Sequence, residues 1–174
     1  MNGDIPLYWK APYQKEILAK ITAIRNNEIQ LNQELFYPGG GGQPPDNGTL
    51  RHYEEQYEIK EVYKDGTGIW LKIKEKMGED ISVGEEVLLN LNWERRYALM
   101  KAHTAQHLVS YFFKSRFDRD TLKANFEIEH MEIELSNVLP MQDIFQVINL
   151  SNQLISEGGE VKSIIVEQET YKEK

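Results

Sequence analysis

The hydrophobic period of the chain changes once, at about Asn92, and that change limits the folds open to it. Before it, apolar residues recur in short alternating runs cut by turn residues, the pattern of half-buried strands. Residues 17–24 form one run, with Asn26 and Asn27 as a turn into 29–31, a plausible hairpin. Runs at 48–53, 56–63, 68–74 and 86–92 follow, with Asp65 and Gly66 marking a second hairpin. Short strands, tight turns and no helical period between them predict a small barrel or curled sheet.

After Asn92 the period lengthens. Asn92 is placed to cap a helix with Glu94 in its first turn, running to about Phe117. Tyr97, Met100, Thr104, Leu108, Tyr111 and Phe112 recur at three-and-four spacing, and this stripe reads as the core face. Residues 122–135 read as two strands folded back. Pro140 opens a second helix over 141–155, with Ile144, Phe145, Val147, Ile148, Leu150 and Leu154 on one broad face. Gly158 and Gly159 end it, and a last strand is expected over 160–167. The fold class is α+β: a β-barrel domain over 1–91, carrying a glycine-rich loop at 38–48, then a two-layer α/β domain over 92–174.

Two stretches carry chemistry. His103 and His107 lie four apart on the long helix, so their imidazoles project to one side, one turn apart. That geometry suits two ligands of one metal ion, and also an ordinary half-buried pair. The other stretch is Gly39 to Gly42, flanked by Pro38, Pro44 and Pro45. Consecutive glycines let the backbone pass close to a neighbour or turn N–H groups towards an anion; they also suit a mobile loop. Gln43 adds an amide able to place a carbonyl or a water. No Lys-Ser/Thr pair follows, so a Walker-type phosphate loop is not indicated.

Among 174 residues there is no cysteine, which excludes disulfides and thiol catalysis within them. No run is long enough to span a bilayer, and the start lacks the basic-then-apolar order of a signal peptide. A cytoplasmic protein with no membrane association is expected. The net charge of −8 argues against indiscriminate nucleic-acid binding. From Arg95 to Lys123, however, seven basic residues face two acidic ones, so an anionic partner would be steered to the His pair.

Taken together, Phe36-Tyr37-Pro38, Gly40-Gly41-Gly42-Gln43-Pro44, Asp46, Gly48 and His103-Thr104-Ala105-Gln106-His107-Leu108 resemble the alanyl-tRNA editing domain. The likeness covers about residues 7–169 and looks closest to the free-standing AlaX type. It implies a small barrel joined to an α/β editing domain and a zinc ion. The implied activity is hydrolysis of tRNA(Ala) mischarged with serine or glycine, bound by its acceptor end. His103 and His107 carry over as metal ligands. The family's other two ligands come from a later Cys-x-x-x-His, which is absent here, so the editing domain is expected to be incomplete at its C-terminus. His52 and His130, the remaining histidines, read as structural or surface residues. Such a domain would expose a sheet edge and an apolar face, to be covered by a partner chain, for instance in a homodimer, or left weakly ordered.

The resemblance further implies that Gln43 and the backbone of Gly40, Gly41 and Gly42 contact the acyl end or terminal adenosine. Thr104 is placed to orient a histidine, and Arg95 and Arg96 to meet phosphates. Glu34 stands where the family commonly has threonine, which bears on the amino acid accepted. A non-catalytic tRNA- or protein-binding module of the same fold is the alternative. Gly41-Gly42-Gln43 is also the tripeptide of peptide release factors, but the flanking prolines and the His-pair helix do not fit that family.

Overall fold

The computed structural model describes residues 5–128 and 130–162. Six strands close into an antiparallel barrel: β1 (Glu16–Arg25), β2 (Glu28–Leu31), β3 (Gly48–His52), β4 (Glu55–Asp65), β5 (Gly68–Ile73) and β6 (Glu86–Leu91). Their order around the barrel is β1-β2-β5-β4-β3-β6. Both expected hairpins form. Arg25 pairs with Glu28 across a turn in which Asn26 takes a positive φ of 50°, and Asp65 pairs with Gly68. Inward residues alternate with outward ones, as closure requires. Ala19 and Ile21, Tyr57 and Ile59, and Val87, Leu89 and Leu91 fill the interior. In β4 an irregularity between Ile59 and Glu61 moves the inward set from odd to even positions, so Val62 points in. A four-residue helix, α1 (Leu7–Lys10), precedes the barrel and had no periodic signal at that length.

The barrel hands the chain directly to α2 (Trp93–Phe117). The Asn92 side chain accepts from the Arg95 N–H, and the helix ends at Asp118 in a left-handed conformation. Strands β7 (Thr121–Phe126) and β8 (Met131–Leu135) form the expected antiparallel pair, and α3 (Met141–Glu157) follows Pro140. α2 packs against β7 and α3. The strand expected over 160–167 lies mostly outside the described residues, and residues 160–162 are not in a strand.

Two helix faces differ from expectation. The buried residues of α2 are Arg96, Leu99, Gln106 and Phe113; of the expected stripe Tyr97, Thr104 and Tyr111 are exposed, Tyr97 at 41% and Tyr111 at 63%, and Met100, Leu108 and Phe112 are half-buried. Polar side chains hold the buried face because each finds a partner: Arg96 meets Asp46, and Gln106 donates to Ser110 Oγ at 2.6 Å. On α3 only Val147 and Ser151 are fully buried. Phe145, Ile148 and Leu154 are exposed among the described residues, because α2 covers a narrower strip than the apolar pattern spans.

Candidate active site

The glycine loop leaves the barrel after the buried pair Leu35 and Phe36 and returns at β3. Gly40 and Gln43 bond each other both ways, N–H to carbonyl, at 3.0 Å each. This closes a two-residue turn on Gly41 and Gly42, whose φ values are 59° and 85°. Positive φ at both central positions is what such a turn demands and what glycine permits. The Gly40 N–H is therefore spent inside the loop, whereas those of Gly41 and Gly42 have no partner among the described residues. Gly42 is further held by its neighbour: a Cβ there would collide with the Ala124 carbonyl, and the Phe126 N–H donates to Gly42 O at 3.2 Å.

The base of the loop is pinned by Asp46, which is buried. Its carboxylate accepts from the Tyr37 N–H at 2.6 Å and takes the Arg96 guanidinium on both oxygens. Arg96 also donates to the carbonyls of Leu35 and Pro12. Arg96 is thus a buried cross-link between barrel, loop and α2, not a phosphate contact: its donors are consumed and 2% of it is exposed. Sequence reasoning passed over this pair, whose only signal was an acid in the loop motif and an arginine in the first turn of α2. Arg95 is partly exposed, with its guanidinium 3.3 Å from Pro45 O at the loop's edge.

The pinned loop brings Gln43 onto the histidines. Gln43 Oε1 lies 2.8 Å from His103 Nδ1. The imidazoles of His103 and His107 stack at 4.9 Å between centroids, with ring planes 19° apart, and Phe126 lies 5.0 Å from His103 on another side. Burial, and secondarily His107, lowers the His103 pKa, which favours the neutral ring. An amide oxygen opposite Nδ1 selects the tautomer with hydrogen there, leaving a lone pair on Nε2. Gln43 is therefore the side chain in hydrogen-bond contact with His103. Thr104 is not: it is exposed, and its hydroxyl donates to Met100 O at 3.0 Å.

The remaining candidates stand apart. Glu34 lies beside Tyr8, accepting the Tyr8 N–H on its backbone carbonyl at 3.2 Å; it makes no hydrogen bond or ion pair with either histidine. His130 is exposed and 3.3 Å from Glu132. His52 is buried in the barrel, near Asp80 and Glu85. Two imidazoles, one with its tautomer set by an amide, fit half of a tetrahedral zinc site. No third His, Cys, Asp or Glu gathers there among the described residues.

Residues 8–95, which hold the barrel, the loop and the start of α2, match the family model of tRNA synthetases class II (A). The alanyl-tRNA editing protein AlaX-M of Pyrococcus horikoshii is 36% identical over 173 residues, covering 93% of this chain and 74% of that protein. AlaX-M of Saccharolobus solfataricus is 30% identical over 164 residues, covering 94% and 69%. The alanine–tRNA ligase of Aeropyrum pernix is 28% identical over 172 residues, which are 97% of this chain and 19% of the ligase. The chain belongs to the alanyl-tRNA editing protein family.

Proposed function

We propose that this chain is a trans-editing deacylase, hydrolysing the ester of tRNA(Ala) mischarged with serine or glycine. The contact between Gln43 and His103 carries the reading, because it joins the loop and the His pair into one site. The names of the relatives supply the substrate class.

Ester hydrolysis needs donors for the charge that develops on the acyl carbonyl oxygen. The N–H groups of Gly41 and Gly42 are available for that, or for the terminal adenosine. His103 and His107 would hold zinc, which would supply Lewis acidity towards the ester carbonyl. Gln43, bonded at Nδ1, would leave the His103 Nε2 lone pair free for the metal. With a tRNA substrate, the protein would work in the cytoplasm.

The test is release of labelled serine from Ser-tRNA(Ala), with zinc content measured in parallel. Gln43→Ala is expected to lower activity or metal affinity about 10- to 100-fold, as loss of a ligand-orienting partner does. His103→Ala is expected to remove both metal and turnover. A second reading is favoured by the ligand count: the described residues gather only two donors, which suits a module that binds tRNA without turnover. Bound tRNA with no serine released and no zinc retained would select that reading over the deacylase.

A further inference from the structure

Much of one stripe of α2 is left uncovered among the described residues. Trp93, Tyr97, Met100, Thr104, His107 and Tyr111 follow one another at three-and-four spacing on one side of the helix. Tyr97, Thr104, His107 and Tyr111 are exposed. At its start the stripe becomes an aromatic stack: Trp93 and Tyr97 lie nearly parallel, 5.3 Å apart and 17° between planes, with Tyr13 at 5.6 Å from Trp93 and 65% exposed. Lys15 lies 5.1 Å from the Trp93 ring, and Lys101 4.8 Å from the Tyr97 ring. The only acid from Trp93 to Phe117 is Glu94. A run of rings carrying cations, exposed at Tyr13, Tyr97 and Tyr111 and half-buried against the barrel core at Trp93, is a local exception in a chain of net charge −8 and suits an aromatic polyanion.

We propose that this face, with Tyr13 and Lys15, is a stacking platform for the unpaired nucleotides at the 3′ end of an RNA. The proposal rests on the editing reading and names the part of that substrate this face takes. Bases stack on Tyr97 and its neighbours whatever their sequence, since every base has a π face. Lys15 and Lys101 cover the rings in the free chain. Their stems are flexible enough to swing to flanking phosphates when a base takes the ring. From Tyr97 the stripe reaches His107 ten residues on, about 15 Å along the axis. That is about the span of four stacked bases. A strand laid along it with its 3′ end towards His107 would place the terminal ribose beside the His pair, where the ester would be.

The experiment measures binding of a short, unacylated single-stranded RNA ending in CCA to the full chain, by fluorescence anisotropy. Tyr97→Ala is expected to weaken binding about 5- to 100-fold, and Tyr97→Phe to retain it, with circular dichroism showing both variants folded. Lys15→Gln with Lys101→Gln is expected to reduce the slope of log affinity against log salt by about 1.4. Annealing a complementary strand over the whole RNA should weaken binding. The platform is overturned if Tyr97→Ala binds like the parent, if the duplex binds as tightly as the single strand, or if the parent binds no RNA. The last result would leave a protein-facing surface instead. Because the RNA carries no ester, these outcomes are independent of deacylation. Lost turnover with intact, Tyr97-dependent binding defeats the hydrolase and keeps the platform; the reverse pattern defeats only the platform.

Discussion

Gln43 Oε1 faces His103 Nδ1 at 2.8 Å, in surroundings that already disfavour charge on the ring. Burial lowers the His103 pKa, and His107 adds to it. In the unfolded chain the imidazole titrates near ~6.5. Below that pH the unfolded state binds the proton more readily, so stability falls as pH drops towards the folded pKa and is unaffected by this group well above it. Replacing Gln43 with Glu puts a carboxylate against Nδ1 and favours the imidazolium. The His103 midpoint, followed by NMR of the ring proton, is expected to move up in Gln43→Glu. The stability lost as pH falls below about 6.5, from urea midpoints, is expected to shrink. An unmoved or lower midpoint would show that Gln43 does not face that nitrogen in solution. At this scale the His pair was readable from spacing, whereas the part of Gln43 and the glycine loop in the same site was legible only through the family resemblance. The spent N–H of Gly40 was legible in neither, because it depends on how a turn closes rather than on which residues it contains.

The buried face of α2 could not be read from its apolar residues, since two of the four positions holding it are Arg96 and Gln106. Their burial depends on partners distant in sequence or on the next turn, and a periodicity count sees neither. The expected core stripe and the observed one give opposite mutational results. Leu99 is fully buried, so Leu99→Ala is expected to cost about 2–5 kcal/mol in urea unfolding. Thr104 is exposed on the other stripe, and Thr104→Ala is expected to stay within about 0.5 kcal/mol. Asp46→Ala strands the Arg96 guanidinium in the interior and frees the Tyr37 N–H, for an expected loss of about 3–5 kcal/mol. The same variant should loosen Gln43 from His103, so its His103 titration should also shift. By contrast the barrel strands, the cap at Asn92 and the start of α3 were legible, because each rests on local chemistry: alternation, an N-cap side chain, a proline at the helix entrance.

Across the molecule, buried apolar side chains are unevenly shared. One continuous cluster runs from Tyr8 to Leu91 and fills the barrel. Past α2's start the fully buried apolar residues are Leu99, Phe113, Phe126 and Val147 among the described residues. A closed barrel has no sheet edge to fray, whereas β7 and β8 are a two-stranded ribbon, marginal without support. The support comes from α2 and from Gly42 and Phe126, the point where loop and ribbon meet. Native-state hydrogen exchange is therefore expected to find the slowest amides in β1, β4 and β6. The β7 and β8 amides should open with a smaller free energy and as one unit. Gly42→Ala forces the loop off Ala124, and so should speed exchange in β7 and β8 while leaving the barrel amides unchanged. Equal exchange free energies in ribbon and barrel would mean that the two halves unfold together. The loop would then be a passenger on a rigid frame, and not the hinge through which the barrel holds the histidine helix and its ribbon in place.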